Sequence, residues 1–176
     1  MTKLANWCVR ILAALTLLWA VPSCAGKQAV SPDVVRGAVT NLPVPRYVSM
    51  KTDKGNVRRG PSLTQRVDWV FKRQNMPLQI TAEFGHWRRV RDIDGAGGWI
   101  HYSLLSGVRT VIVIKDYMAM RSRPDAAALP NAYAEQGVVA VLGACQRDWC
   151  KIKAGGYKGW VLKSALWGVA AGELRD

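Results

Sequence analysis

The sequence is poor in the residues that most metal sites require. It contains two histidines, His86 and His101, and four cysteines among 176 residues. A closed zinc site takes four nitrogen or sulfur ligands, and the two histidines lie far along the chain from Cys145 and Cys150. The sequence therefore predicts no bound metal and no other cofactor.

Recognisable catalytic motifs are also lacking. Residues 95–98 are rich in glycine, but no helix is predicted after them, so they indicate a hairpin turn and not a phosphate-binding loop. A cysteine peptidase needs a thiolate with a histidine and a third polar group. Cys145 and Cys150 are expected to pair with each other, and His86 and His101 are expected to be surface residues. We therefore expect that the protein is not an enzyme.

No apolar run is long enough to cross a membrane comfortably as a helix. Residues 11–21 form an uncharged apolar run that follows Lys3 and Arg10. Ser23 and Ala25 fit the −3 and −1 positions of a signal-peptidase site. The sequence thus predicts a signal peptide over residues 1–25, cleaved after Ala25, and a periplasmic or secreted protein. The alternatives are a membrane anchor and a buried helix.

Export changes the interpretation of the cysteines. Acylation of Cys24 in a lipoprotein is an alternative to cleavage after Ala25, but Pro22 fits that motif badly. Cleavage leaves Cys145 and Cys150, which are expected to form a disulfide in an oxidising compartment. A reactive thiol pair is the alternative.

Charge points to anionic partners. Lysine and arginine number 25 against 12 acidic residues, so the net charge is +13. Export disfavours nucleic acid and leaves anionic cell-wall polymers and an anionic membrane surface as candidates. The alternative is a basic surface that only keeps the protein soluble.

A short motif occurs twice, with the copies about 62 residues apart. The first copy contains Trp87, Val90, Gly98 and Trp99, and the second contains Trp149, Ile152, Gly159 and Trp160. Short alternating segments around both copies predict strands. We expect an all-β protein with two tandem small barrels of five strands each, because closure removes exposed sheet edges. The predicted boundaries are a linker at 26–45, repeats at 46–107 and 108–169, and a tail at 170–176.

The two repeats place different residue pairs at one hairpin. Cys145 aligns with Glu83 and Cys150 with Arg88, so one hairpin can hold a disulfide where the other holds an ion pair. An exposed ion pair would contribute about 0–1 kcal/mol. A strict two-residue turn would bring Thr81 opposite Val90 instead of Ile80, so we expect a bulge or a longer loop.

Three motifs in the first repeat carry a resemblance to a known family. They are Asn56-Val57-Arg58-x-Gly60-Pro61-Ser62, then Trp87-x-x-Val90, then Gly98-Trp99-Ile100. This ordered set resembles the bacterial SH3 (SH3b) family, and above all exported tandem SH3b proteins of Gram-negative bacteria. The second repeat departs from it, with Arg123 for Gly60 and Met120 for Val57. The resemblance implies SH3-like five-stranded barrels and a role in binding or targeting, often toward peptidoglycan or peptide.

The candidate ligand-binding residues combine an aromatic ring with cations. The four tryptophans at matched repeat positions are expected to pack, whereas Trp69 has no counterpart and is expected to be exposed. The candidates are Trp69, Arg58, Arg59, Arg89 and Arg91, because rings stack on sugars and guanidinium groups grip carboxylates. We expect a binding module for cell-wall peptidoglycan or its peptide stems. The alternative is a periplasmic adaptor that binds a protein partner or peptide at the barrel surface.

Overall fold

The structure is a computed structural model that describes residues 34–176. The predicted signal peptide and the first part of the predicted linker lie outside the described residues. No helix in the part of the chain described is long and apolar enough to cross a membrane.

Fourteen strands are found in residues 34–176, seven in each repeat. The first repeat contains β1 (Arg46–Met50), β2 (Gly55–Arg58), β3 (Val67–Phe71), β4 (Pro77–Phe84), β5 (Trp87–Arg91), β6 (Gly97–His101) and β7 (Leu105–Ser106). The second repeat contains β8 (Thr110–Val113), β9 (Met118–Arg121), β10 (Pro130–Ala134), β11 (Val139–Cys145), β12 (Trp149–Ala154), β13 (Tyr157–Leu162) and β14 (Leu166–Trp167). One 3-10 helical turn precedes the last strand of each repeat, at Tyr102–Leu104 and at Lys163–Ala165.

Each repeat forms one seven-stranded antiparallel sheet, and the strand order is the same in both. The order is β3-β2-β6-β5-β4-β1-β7 in the first repeat and β10-β9-β13-β12-β11-β8-β14 in the second. The duplication of sequence is therefore a duplication of topology. The prediction of an all-β protein with two tandem SH3-like domains is confirmed.

The number of strands in each repeat differs from the five predicted. The two additional strands of the first repeat are β2 and β7, which have four and two residues. Both are too short to show a clear alternation of apolar and polar residues. β2 pairs with β3 as a hairpin beside the main meander, and β7 pairs with β1.

Each repeat has its own apolar core, which forms where the inward-facing side chains of its strands pack against each other. The core of the first repeat contains Val44, Met50, Val57, Phe71, Leu78, Ile80, Val90 and Ile100. The core of the second contains Val111, Val113, Met120, Ala134, Ala140, Leu142, Cys145, Cys150, Ile152, Val161, Leu166 and Val169. The predicted disulfide between Cys145 and Cys150 is confirmed and lies within that second core.

Buried contacts join the two repeats. The Ser49 hydroxyl donates to the Val108 carbonyl at 2.6 Å, and the Thr110 hydroxyl donates to the Asn75 carbonyl at 2.7 Å. Ser49 and Thr110 are almost fully buried. Buried hydroxyls with defined partners specify one arrangement, because a shift would leave them unsatisfied. The repeats thus pack against each other.

The part of the predicted linker that the structure describes is not extended. Residues 37–41 form a turn closed by hydrogen bonds, in which Gly37 N donates to Leu42 O and Asn41 N donates to Gly37 O. Val44 enters the first core. Residues 34–45, predicted to be a linker, therefore pack as part of the first repeat.

A bulge sets the register of the hairpin in each repeat. In the first repeat Ile80 lies opposite Val90 and Glu83 lies opposite Arg88, with a shift in register between Ile80 and Ala82. In the second repeat Cys145 lies opposite Cys150, again after a shift. The predicted cross-strand pairs are confirmed, and a bulge supplies the correction in register.

Candidate functional site

The first repeat carries an open pocket of about 390 Å³ on the outer side of its sheet. Its lining is apolar and aromatic with cations at its margin, and consists of Lys54, Asn56, Arg58, Leu63, Trp87, His101 and Leu104. Three parts of the chain build it. They are β2 with Lys54 just before it, the β2–β3 loop that carries Leu63, and the ends of β5 and β6 with the adjoining 3-10 turn.

Two rings form the aromatic part of this pocket. Trp87 and His101 lie directly opposite each other on β5 and β6, with ring centroids 5.6 Å apart and planes nearly perpendicular. The Nδ1 atom of His101 is 2.7 Å from the Ser103 hydroxyl, which orients the imidazole. Trp87 is largely buried, as expected for a matched tryptophan, yet it also lines the pocket.

Further aromatic side chains extend from the pocket along the surface. The Tyr102 ring lies 5.0 Å from His101 and 5.6 Å from His86, measured between centroids. The Arg88 guanidinium carbon lies 5.9 Å from the centre of the Tyr102 ring. Of these groups, His86 and Tyr102 are exposed and offer stacking surface to a sugar or a peptide.

Arg58, one of the predicted ligand residues, has a clear structural role. Its Nη1 atom donates to the Gln65 carbonyl at 2.7 Å, and the equivalent Arg121 of the second repeat donates to the Ala128 carbonyl at 2.6 Å. Both arginines therefore hold the loop that follows their strand. In the first repeat this places Leu63 beside the pocket.

Trp69 and Arg59 lie at the β2–β3 hairpin but outside the pocket. Trp69 is 51% exposed, in agreement with the prediction. It lies opposite the buried Val57, whereas Arg58 points to the other side of the sheet, because directly opposed residues share a face and neighbours alternate. Arg59 pairs with Asp68 at 3.2 Å. Hydrogen bonds from Arg66, and then from Arg59, lower the pKa of Asp68.

Arg89 and Arg91 lie in a second depression on β5. It has a volume of about 380 Å³ and is bordered by the glycines of the β5–β6 turn. Arg91 Nε donates to the Gln79 side chain at 2.7 Å, and Arg89 is exposed beside Trp99. The five predicted ligand residues are thus distributed over three places, and Arg58 alone of them lines the aromatic pocket.

Six of the seven pocket residues are not among the predicted ligand residues, namely Lys54, Asn56, Leu63, Trp87, His101 and Leu104. Trp87 has a counterpart in the second repeat, and a matched position predicts packing and not ligand contact. Leu63 lies in a loop whose path cannot be derived from the sequence. The one available signal was the proximity of Trp87 to the arginines of β5 in the sequence.

The Glu83 and Arg88 pair is buried, which corrects the expectation of an exposed ion pair. The Glu83 carboxylate accepts hydrogen bonds from Thr40 N at 2.8 Å, Thr40 Oγ1 at 2.7 Å, Val39 N at 3.0 Å and Arg46 Nη2 at 2.5 Å. Arg88 Nε lies 3.5 Å away. Burial raises the pKa of Glu83, but these hydrogen bonds outweigh it and lower the pKa to about 2. The carboxylate is therefore ionised and fully engaged in structure.

A known protein family matches both repeats of this chain. The family model described as bacterial SH3 domain matches residues 51–107 and 114–168, which is more than half of the chain. The protein belongs to the bacterial SH3 domain family. Domains of this family are commonly cell-wall binding modules, and they often bind peptidoglycan.

Two solved structures share low sequence identity with this chain. The structure of NlpC2 from Trichomonas vaginalis is 17% identical with a TM-score of 0.32, covering 70% of this chain and 48% of that one. NlpC1 from the same organism is 16% identical with a TM-score of 0.34, covering 74% and 48%. This chain spans about half the length of either. A search of curated proteins found no significant match.

Proposed function

We propose that this protein is an exported, non-catalytic binding module that associates with cell-wall peptidoglycan or its peptide stems. The observation that carries the proposal is the pocket of the first repeat, where aromatic and apolar walls adjoin Lys54 and Arg58. The volume of the pocket falls within the range of about 300–1,000 Å³ that is usual for small-ligand sites. Membership of a family whose domains commonly bind the cell wall supports the same function.

The chemistry of the pocket suits a peptide stem. Trp87 and His101 present ring surface, and Leu63 and Leu104 exclude water from methyl groups. The exposed Lys54 can pair with a stem carboxylate, while Arg58 keeps the loop in place. A ligand bound mainly by stacking and apolar contact should resist moderate salt, because screening weakens charge pairs between exposed groups.

The expected absence of catalysis belongs to this proposal. Cys145 and Cys150 are bonded to each other inside the second core, so neither supplies a thiolate nucleophile. Incubation of the purified protein with soluble muropeptides, followed by mass spectrometry, tests this point. Release of cleaved fragments would contradict it.

Sedimentation with insoluble peptidoglycan tests the proposed binding. Leu63 is 74% exposed, so Leu63→Ser should leave the fold intact and reduce retention at physiological salt. Leu129→Ser is the matched control, because Leu129 is similarly exposed, at 79%, in the corresponding loop of the second repeat, between β9 and β10. Absence of retention, or equal loss in both variants, would refute the pocket as the wall-binding site.

A protein adaptor is the second candidate function. The observation that favours it is Trp69, an exposed ring on β3 at the edge of the first sheet, next to the exposed Val70. An edge strand can accept a further strand from a partner, and an exposed ring anchors such a contact. Crosslinking in cells with wild type and Trp69→Ala tests this. A crosslinked partner lost in Trp69→Ala, with no retention on peptidoglycan, would favour the adaptor.

A further inference from the structure

A tryptophan flanked by two cations crosses the outer face of each sheet. In the first repeat, Trp99 on β6 lies directly opposite Arg58 on β2 and Arg89 on β5. Directly opposed residues on neighbouring strands share a face, and the buried Val90 and Ile100 beside them show that this face is the outer one. The three side chains therefore form one row across three strands.

The second repeat has the equivalent row. Trp160 on β13 lies opposite Arg121 on β9 and Lys151 on β12. The buried Ile152 and Val161 place this row on the outer face as well. The two repeats thus share the same combination of ring and charge, although lysine replaces arginine at one position.

An unfavourable pair of charges lies next to the second row. Lys153 and Lys158 are directly opposite each other on β12 and β13, and both are exposed. Like charges in this arrangement destabilise a sheet. Among residues 34–176, none of the ion pairs involves Arg89, Lys151, Lys153 or Lys158. An anion bound at this face would relieve the repulsion.

We infer that these two outer faces bind an acidic polysaccharide, in which pyranose rings carry carboxylate groups. A sugar ring stacks on the indole, and the flanking cations pair with its carboxylates. Trp99 and Trp160 are only partly exposed between their cations, which suits stacking better than insertion of the ring into a bilayer. The proposed peptidoglycan pocket adjoins the first row on the same outer face, because Trp87 and His101 are two residues along their strands from Arg89 and Trp99, and Arg58 is common to both.

Titration with oligogalacturonate at physiological salt tests this inference, with tryptophan fluorescence and calorimetry as readouts. Two further probes distinguish the contribution of the carboxylates from that of the sugar rings. Polyglutamate carries carboxylates without sugar rings, and dextran carries sugar rings without charge. We expect oligogalacturonate to bind more tightly than either probe. Equal affinity for polyglutamate, or for vesicles of anionic lipid with the same charge, would overturn the inference in favour of simple charge attraction.

Substitutions on the faces locate the site. Arg89→Gln with Lys151→Gln should weaken oligogalacturonate binding by about tenfold or more, since each change removes a charge-assisted contact. Lys72→Gln with Lys115→Gln is the control, because it removes the same charge at two other exposed positions. An equal loss in the control would overturn the inference. Leu63→Ser should leave this binding unchanged, so failure of the peptidoglycan pocket and failure of the outer faces are distinguishable.

The Lys153 and Lys158 pair gives an independent test. Lys153→Gln should raise the melting temperature, because it removes the repulsion, and should weaken oligogalacturonate binding at the same time. If Lys153→Gln gains stability and loses affinity, the Lys153 and Lys158 pair contributes to binding at a cost in stability. Unchanged affinity in this stabilised variant would remove Lys153 from the site and contradict the inference for the second repeat.

Discussion

The two repeats stabilise the same end of the same fold by different means. In the first repeat the hairpin pair is Glu83 and Arg88, and its carboxylate gathers hydrogen bonds from residues 39 and 40 and from Arg46. In the second repeat the pair is a disulfide between Cys145 and Cys150. The covalent bond needs no surrounding cations, whereas a buried carboxylate must have them.

The segments that cover these ends also differ. The segment that precedes β1 covers Glu83. The segment that follows β14 pairs with Cys145 through Arg175, by backbone hydrogen bonds of 2.7 and 3.0 Å. Lys163 holds this tail, because its ammonium lies 2.8–3.1 Å from the carbonyls of Gln146, Arg147, Ala171 and Glu173. Each repeat therefore has a buried charged group at this end, a carboxylate in the first repeat and an ammonium in the second.

Removing the carboxylate should have the largest effect. Glu83→Gln leaves the buried Arg88 and the nearby Arg46 without a counter-charge, so we expect a loss of about 3 kcal/mol or more in the free energy of unfolding. Urea denaturation measures it. Asp68→Asn is the control, because its ion pairs with Arg59 and Arg66 lie at the surface and should contribute little. A similar small loss for Glu83→Gln would show that the cluster contributes no more than a surface pair.

The stability of the protein at acid pH should depend on the same carboxylate. The folded-state pKa of Glu83, about 2, lies below the ordinary value of 4.5. Its contribution to stability is therefore complete above pH 4.5 and is lost as the pH falls toward 2. Burial raises the pKa of Asp92, which acts in the opposite direction, so the wild type should be compared with Glu83→Gln. Parallel stability curves between pH 2 and 5 would contradict the assignment.

Removal of the disulfide should cost somewhat less. Cys145 and Cys150 are five residues apart. Closing so short a loop lowers the conformational entropy of the unfolded chain and so stabilises the folded state by about 2 kcal/mol. The Cys145→Ala, Cys150→Ala variant should lose that amount in urea denaturation, and reductant should shift wild type equally. A reductant that leaves the unfolding curve unchanged would show that the bond makes no contribution.

The smallest of these effects should come from the lysine that holds the tail. Lys163→Met removes a buried ammonium from four carbonyls, most of which can reach water, so we expect a loss of about 1–2 kcal/mol. Faster amide hydrogen exchange at Cys145 and Arg175 would report release of the tail. Lys115→Met is the exposed control. Unchanged exchange in Lys163→Met would mean that the backbone pairing alone holds the tail.

The duplicated motifs were sufficient to predict the fold and its repeats. Trp87, Val90, Gly98 and Trp99 have counterparts at one nearly constant spacing, and apolar alternation around them indicates strands. The cysteine pair followed from alignment with Glu83 and from the expected export. These features depend on short-range patterns, which a sequence displays directly.

The covering segment and the pocket depend on contacts between distant residues. Thr40 and Glu83 are 43 residues apart, and no periodicity marks the segment that carries Thr40. Trp87 has a counterpart in the second repeat, which indicates packing and conceals its position beside the pocket. Leu63 reaches the pocket because Arg58 holds its loop through the Gln65 carbonyl, and that is a tertiary contact.

The hydroxyl contacts of Ser49 and Thr110 have a thermodynamic consequence for the duplication. Two self-contained cores could in principle melt separately, but unfolding one of them breaks buried hydrogen bonds made with its neighbour. A ligand that occupies one repeat lowers the free energy of the folded state by an amount set by its concentration and affinity. Through the shared contacts, part of that gain should protect the unoccupied repeat as well.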